Sequence, residues 1–249
     1  MLPYAAHTDA RMDALDRARD LNAKYRHFGT SYLLEAVLTR GDFERVALVS
    51  SFGADAAVLL HLVAQIDRNV PVLFIDTRLH FAETLAYQER LAAHLGLTNV
   101  QVIRASQTAL AERDPYGALR FSDPDGCCDL RKTQVLDAAL KGFDGWITGR
   151  KRHQSQTRAQ LGYFEVDADS ARIKINPLID WKPARIAAHL AAHDLPRHPL
   201  VARGFASIGC APCTSAVERD EDPRAGRWRG TEKTECGLHG AAAIEGAVI

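Results

Sequence analysis

The five cysteines of this 249-residue chain form two pairs and one single residue. Cys127 and Cys128 are adjacent in "GCCDLRK", Cys210 and Cys213 form a C-x-x-C pair in "GCAPCT", and Cys236 stands alone in "ECGLH". Adjacent side chains point to opposite faces of a strand or diverge by about 100° on a helix, so Cys127 and Cys128 fit one tetrahedral zinc ion poorly. A cubane cluster offers irons at several corners and is usually held by four thiolates. The two pairs therefore favour a 4Fe–4S cluster. A structural zinc ion, a redox disulfide and four unrelated buried thiols stay open as alternatives.

Cys236 lies in the polar stretch "TEKTECGLHG". A lone cysteine in a flexible segment is a poor metal ligand, but it can move onto a bound molecule. Lys233 and His239 favour its thiolate form, whereas Glu235 opposes it. The pattern is compatible with a mobile nucleophile, and an incidental exposed thiol is the alternative.

The composition excludes several classes of protein. Lys and Arg together number 31, as do Asp and Glu, so the net charge is zero and does not indicate binding to nucleic acid or an anionic membrane. No apolar run reaches the ~18 residues needed to span a bilayer, and the N-terminal residues lack the pattern of a secretory signal peptide. An odd number of cysteines without such a signal indicates the cytoplasm, where clustered cysteines bind metal or do chemistry.

Short apolar runs alternate with helical patterns along most of the chain. We expect strands over 45–50, 71–76, 99–105 and 145–149, a hairpin from 162–166 and 171–178, and helices over 9–27, 54–66, 82–96, 130–143 and 182–194. Strands that alternate with helices predict an α/β fold with a mostly parallel sheet flanked by helices. We divide the chain into an N-terminal helical segment (1–44), an α/β domain (45–213) and a mobile C-terminal tail that carries Cys236 (214–249).

Ligands of such a sheet bind outside the carboxyl ends of its strands. The segments expected there are "SSFGAD", "DTRLH" and "GRKRHQSQTR", whose hydroxyls, glycine and cations suit a phosphorylated small molecule. "SSFGAD" is not a Walker A loop, although it can offer backbone N–H groups at a helix N-terminus; an ordinary strand-to-helix turn is the alternative. No metal-binding spacing is evident for His80, His153, His189, His193 and His198.

Taken together, "GCCDLRK", "SIGCAPCT" and "ECGLHG" resemble the assimilatory adenylyl-sulfate reductases of bacteria and plants, the cluster-bearing branch of the phosphoadenylyl-sulfate reductase family. The resemblance implies an adenine-nucleotide α-hydrolase-like (Rossmann-like) sheet, so residues 45–213 are expected to form a nucleotide-binding α/β reductase domain with an iron–sulfur site. It also implies thioredoxin- or glutaredoxin-dependent reduction of adenosine 5′-phosphosulfate to sulfite and AMP, in sulfate assimilation and cysteine biosynthesis.

The resemblance also assigns roles to individual residues. Cys236 is expected to be the nucleophile that forms an S-sulfocysteine. The expected ligands of the 4Fe–4S cluster are Cys127, Cys128, Cys210 and Cys213. The expected substrate contacts are Ser51, Gly53, Thr77, Lys132, Arg152, Arg224, Arg227 and His239. No nucleic acid or membrane partner is implied, and a homo-oligomer stays open.

Four residues depart from the family pattern. Arg78 and Ala82 replace a glycine and a proline in "DTRLHFAET", Lys151 replaces an arginine in "GRKRHQS", and Arg229 interrupts a tryptophan run. The additional cations Arg78 and Lys151 are compatible with a 3′-phosphate. Reduction of 3′-phosphoadenosine 5′-phosphosulfate, or of both substrates, therefore stays an alternative, as do an ATP-pyrophosphatase-type iron–sulfur enzyme and a zinc-stabilised binding module.

Overall fold

A computed structural model describes residues 3–167, 170–231, 233 and 235–239, except for the side chains of residues 3–8 and 239. Across these residues the strands are β1 Val46–Val49, β2 Val72–Ile75, β3 Val100–Ile103, β4 Gly145–Ile147, β5 Phe164–Val166 and β6 Ile173–Ile175. They form one sheet in the order β3-β2-β1-β4-β6-β5. All neighbouring strands are parallel except β5, which runs antiparallel to β6. The predicted strands, the hairpin and the mostly parallel α/β sheet are confirmed.

The sheet is covered by helices on both faces. The α-helices of the described residues are α1 Pro3–Tyr25, α2 Thr30–Thr39, α3 Ala56–Ala64, α4 Ala82–Leu95, α5 Gln107–Arg113, α6 Leu119–Ser122, α7 Pro124–Cys128, α8 Gln134–Ala139 and α9 Pro183–Ala192. The predicted helices correspond to α1, α3, α4, α8 and α9. The shorter helices α5, α6 and α7, and also α2, were not predicted. Of the described helices, none is both long and apolar enough to cross a membrane.

The alternation of side chains along each strand divides the core between the two faces. Leu48 of β1 and Phe74 of β2 pack with α3 on one face, whereas Ala47 and Leu73 pack with Trp146 of β4 on the other. Strands buried on both faces read as continuous apolar runs, which explains the sequences "VALV" and "VLFI".

The outer edge of the sheet is tied to the N-terminal helix. Asn22 of α1 accepts a hydrogen bond from the backbone N–H of Phe164 (3.1 Å) and donates one to its carbonyl oxygen (2.7 Å). These bonds satisfy backbone groups of the edge strand β5 that would otherwise be open to pairing with another chain. The division of the chain at residues 44 and 213 stays a prediction.

The strand order places a switch point beside β1. The chain runs outward from β1 to β2 and β3, and then returns to β4 on the other side of β1. The loops that leave β1 and β4 therefore diverge and open a crevice at their carboxyl ends, which is where ligands of doubly wound sheets bind.

Candidate active site

A cavity of about 530 Å³ opens at the carboxyl ends of β1 and β4, a size within the usual range for a small-molecule site. The loop after β1 contributes Ser51 and Gly53, two of the expected substrate contacts, to the lining of this cavity. The cations along its wall are Lys132, Arg150, Lys151, Arg158, Arg197, Arg224 and Arg227. Cys236 also lines the cavity, which brings the predicted nucleophile to the predicted substrate loop.

The loop after β1 is held in a strained conformation. Phe52 has a φ of +47° although it carries a side chain, and its fully buried ring packs edge-on against Phe74 at 5.4 Å. Gly53 follows, and a Cβ there would approach the carbonyl oxygen of Ile208 to 3.3 Å. The anchored ring and the close approach fix this loop at the N-terminus of α3, where backbone N–H groups can face an anion.

A π-helical turn, Asp129–Thr133, joins α7 to α8. Such turns are rare in proteins as a whole, but those that occur often lie at functional sites, where the extra residue interrupts the regular helix. Lys132 lies in this turn and borders both the large cavity and a smaller one that contains four cysteines. Burial lowers the pKa of Lys132, but the negative charge of the neighbouring Cys236 thiolate, the largest of the opposing effects, contributes to raising this pKa above its usual value.

Cys236 lies beside this lysine. Its thiolate form is stabilised first by a hydrogen bond from Cys128 and also by the charges of Lys132 and Arg227, so its pKa lies well below the usual value although burial acts in the opposite direction. A Cβ at the following residue, Gly237, would come within 3.0 Å of Thr133 Oγ1. The lack of a side chain at Gly237 therefore allows the Cys236 segment to approach the π-helical turn closely.

Glu235, the residue before Cys236, is held by two arginines. The Glu235 carboxylate accepts hydrogen bonds from Arg158 Nε and Nη2, both at 2.8 Å, and from Arg224 Nη2 at 3.2 Å. Burial raises the pKa of Glu235, but its pairing with Arg158 and Arg224 outweighs this and lowers it. A bidentate arginine–carboxylate contact is strong and directional, so it fixes the position of residue 235 and thereby that of Cys236.

Arg227 is the cation best placed to receive an anion. Its Nε is buried at the cavity, and within the described residues this atom has no hydrogen-bond partner. Its guanidinium lies 4.4 Å from the ring centroid of Trp228. The absence of a side chain at Gly209 makes room for it, because a Cβ there would clash with the guanidinium.

Three of the predicted substrate contacts lie elsewhere or cannot be placed. Arg152 is not among the residues that line the cavity; it donates hydrogen bonds to Asp180 Oδ1 (2.5 Å) and to the carbonyl oxygen of Leu161 (2.8 Å). Thr77 lies at the cysteine cavity, with its Oγ1 3.2 Å from Cys210 Sγ. The side chain of His239 is outside the described part of the structure.

The sequence interpretation missed Arg158, which lines the cavity six residues after Arg152. Both residues belong to "GRKRHQSQTR", and two single 3-10 turns, Arg152–Gln154 and Gln156–Arg158, decide which of them faces inward. No periodic pattern marks such short turns, so only the cationic character of the segment was a usable signal.

The four paired cysteines line one small cavity. Cys127 and Cys128 are the last two residues of α7. Cys210 directly precedes the single turn Ala211–Cys213, and Cys213 ends it. Burial raises the pKa of the Cys127 and Cys213 thiols above the usual range. Buried thiolates therefore need a compensating positive charge, such as that of a metal centre.

Two arginines at this cavity show whether its lining fits a cluster. Arg120 and Arg131 both line it, and in the described chain the Nε of each is buried without a hydrogen-bond partner. The rest of the Arg131 guanidinium is held by Asp114 (2.6 Å) and by the carbonyl oxygen of Thr77 (3.2 Å). Four convergent thiols with unused donors around them fit a 4Fe–4S cluster, whose sulfur atoms accept hydrogen bonds.

Comparison with known proteins identifies the family. Residues 45–216 match the phosphoadenosine phosphosulfate reductase domain. The adenosine 5′-phosphosulfate reductases of Chelativorans sp. and Mesorhizobium japonicum are 48% and 49% identical to this chain, over 92% and 93% of it and 93% and 90% of their own lengths.

Solved structures agree with this result. The crystal structure of phosphoadenylyl-sulfate reductase from Candida auris, as a phosphate complex, has a TM-score of 0.68 at 27% identity and covers 80% of this chain and 96% of its own. The ATP complex of Candida glabrata FMN adenylyltransferase, at 16% identity and a TM-score of 0.54, covers 90% of this chain and 84% of its own and shares the fold. The chain belongs to the phosphoadenosine phosphosulfate reductase family.

Proposed function

We propose that this enzyme reduces adenosine 5′-phosphosulfate to sulfite and AMP with electrons from a thioredoxin-type dithiol, in sulfate assimilation. The observation that carries the proposal is the placement of Cys236 at the wall of the large cavity beside Lys132 and Arg227, whose positive charges stabilise its thiolate. The two relatives named as adenosine 5′-phosphosulfate reductases support the same reaction.

The cavity is suited to the two ends of this substrate. The N-terminus of α3, with Ser51 and Gly53, offers hydroxyl and backbone N–H groups to the nucleotide. Arg227 and Lys132 lie where the sulfate end must approach Cys236. An anionic thiolate and an anionic sulfate repel each other unless cations lie between them, and a guanidinium stays charged at any working pH.

The first step is attack of the Cys236 thiolate on the sulfur atom of the phosphosulfate. A bond forms between Cys236 Sγ and this sulfur, the bond from sulfur to the bridging oxygen breaks, and AMP leaves with the electron pair. Arg227 and Lys132 would neutralise the charge that develops on the leaving phosphate. The product on the enzyme is S-sulfocysteine.

The second step releases sulfite. A thiolate of the dithiol partner attacks Cys236 Sγ, the bond between the two sulfurs breaks, and sulfite leaves with its electron pair. The partner's second thiol then resolves the mixed disulfide, which restores Cys236 and leaves the partner oxidised by two electrons. Both the dithiol partner and the five free cysteines of this chain suit the reducing cytoplasm.

The four remaining cysteines would hold a 4Fe–4S cluster. When bound, it would supply a buried charged centre next to Lys132, which borders its cavity. The two electrons of the reaction come from the dithiol. Lys132 itself would hold its ammonium between the cysteine cavity and the sulfate of the substrate.

The positions of Lys151 and Arg78 favour the substrate without a 3′-phosphate. Lys151 is engaged by Asp55 at 3.0 Å and by the carbonyl oxygen of Gly149 at 3.3 Å. Arg78 is exposed and is not among the residues that line the cavity. The two cations that depart from the family pattern therefore do not offer a 3′-phosphate site.

The test compares sulfite release from the two substrates. Anaerobically purified enzyme and reduced thioredoxin are incubated with adenosine 5′-phosphosulfate or its 3′-phosphorylated analogue, and the visible spectrum is recorded. We expect a brown protein that releases sulfite mainly from the first substrate, and a Cys236→Ser variant with the same spectrum and no turnover. Sulfite release by that variant, or none by the brown wild type, would contradict the proposal.

A further inference from the structure

Three histidines converge on the face of the molecule formed by α3 and α9. His61 lies in the last turn of α3, and His189 and His193 lie at the C-terminal end of α9. His61 Nδ1 is 3.1 Å from His189 Nε2, and one ring nitrogen from each residue lies within 4.8 Å of those of the other two. None of the three lines the substrate cavity, so the reaction described above leaves this cluster unexplained.

The spacing of the nitrogen atoms is close to that of a metal site. Zinc–nitrogen bonds of 2.0–2.1 Å in tetrahedral geometry separate ligand atoms by about 3.3 Å, and the shortest pair here is 3.1 Å apart. His189 and His193 are four residues apart and share one face of α9.

The surroundings of the cluster favour neutral imidazoles over protonated ones. Burial, together with the neighbouring histidines, lowers the pKa of His61 and of His189. Both rings are therefore neutral near pH 7 and have a lone pair available for a metal. In addition, the three histidines lie in the last turns or at the C-cap of α3 and α9, where the negative end of a helix dipole stabilises positive charge.

A fourth residue can fix the orientation of His61. Gln65 Nε2 lies 3.3 Å from His61 Nε2. Rotation of this amide by half a turn would place its oxygen there as an acceptor for the His61 Nε2 proton, which leaves His61 Nδ1 unprotonated. Metal-bound histidines usually donate their second ring N–H to such a partner.

We propose that His61, His189 and His193 bind one divalent transition-metal ion of the zinc type. His193 is exposed, so the fourth coordination position is open to water. The ion ties α3 to α9. Because α3 begins at the substrate loop and Ile186 and Ala187 of α9 line the cavity, it stiffens one wall of the active site.

Zinc binding to tag-free, anaerobically purified holoenzyme tests this proposal, by competition with a chromophoric zinc indicator. We expect one zinc ion per chain in addition to the iron, and a higher unfolding temperature in its presence. Loss of an outer-sphere partner alone weakens metal binding by about 10- to 100-fold, so His193→Ala is expected to weaken it by at least about 100-fold. The matched control, His27→Ala, removes an exposed histidine of the turn after α1 and is expected to bind zinc like the wild type. Equal zinc affinity in the wild type and His193→Ala would overturn the proposal.

Cobalt separates this site from the cysteine site. Thiolate ligands give cobalt(II) intense near-ultraviolet absorption, whereas imidazole ligands give only weak visible bands. The spectrum of cobalt-loaded wild type minus that of His189→Ala is expected to contain only the weak bands. A difference spectrum dominated by thiolate absorption would assign the ion to the cysteines and overturn the proposal.

Discussion

Substitution of Glu235 by glutamine tests how the enzyme places its nucleophile. The carboxylate is held by Arg158 and Arg224 and directly precedes Cys236. Glutamine keeps the size of the side chain and one acceptor oxygen, but it removes the charge and the second acceptor. If these arginines hold the segment closed, the variant delivers Cys236 to the substrate less often.

The magnitude follows from the burial of the pair. Glu235 and Arg158 side chains are 17% and 10% exposed, so solvent weakens the interaction only in part. Removal of one partner of a buried charge pair costs about 2–5 kcal/mol. Because glutamine keeps one acceptor oxygen for the arginines, we expect a loss at the lower end of this range, about 2 kcal/mol. Since 1.4 kcal/mol corresponds to a factor of ten, formation of S-sulfocysteine is expected to slow by about 30-fold.

The assay is a single turnover without thioredoxin. Enzyme is mixed with saturating adenosine 5′-phosphosulfate, the reaction is quenched at intervals, and the sulfo adduct is counted by intact-protein mass spectrometry. Glu221→Gln is the matched control, because Glu221 pairs with Arg229 at 2.7 Å on the surface of the same C-terminal segment; its rate is expected to be unchanged.

The competing explanation makes the opposite prediction. If Glu235 occupies the site of a substrate oxygen, its removal frees Arg158 and Arg224 for the substrate. The variant would then bind substrate more tightly and form the adduct as fast as the wild type or faster. That result would refute the role of Glu235 in holding the segment closed.

Three further predictions address the cation, the backbone and the cysteine site. Lys132→Met removes a positive charge that lowers the pKa of Cys236, so the pH at which iodoacetamide alkylation of Cys236 reaches half its maximal rate should rise; an unchanged pH would contradict this. Arg78 carries a side chain at φ +59°, so Arg78→Gly relieves backbone strain and should raise the free energy of unfolding, measured with denaturant, by about 0.5–1 kcal/mol. Gly41→Ala introduces a side chain at φ +80° and should lower it. A loss of stability in Arg78→Gly would refute the strain at Arg78. Cys210→Ala should abolish visible absorption of the anaerobic protein, and an unchanged spectrum would exclude Cys210 as a ligand.

The centre of the sheet was predictable because β1 and β2 are buried on both faces. Runs such as "VALV" and "VLFI" are short, apolar and separated by helical patterns, which leaves little choice of topology. Residue type and adjacency favoured a cluster at the paired cysteines, with zinc and a redox disulfide as alternatives, and the cluster stays a prediction. Their convergence on one small cavity agrees with that interpretation.

The individual cavity contacts were less accessible from sequence. Arg158 reaches Glu235 across 77 residues, and no local pattern encodes such a pairing. The histidine cluster is a similar case: His189 and His193 alone have an ordinary helical spacing, and only the packing of α3 against α9 adds His61. Tertiary packing creates these contacts, so they become visible only in the structure.

Peptide mapping of the enzyme after reaction with adenosine 5′-phosphosulfate, in the absence of any dithiol, tests the central claim most directly. The account predicts one sulfo group per chain, located on Cys236, and its release as sulfite when reduced thioredoxin is added. A sulfo group on Cys127, Cys128, Cys210 or Cys213, or an adduct that persists in Cys236→Ser, would contradict it.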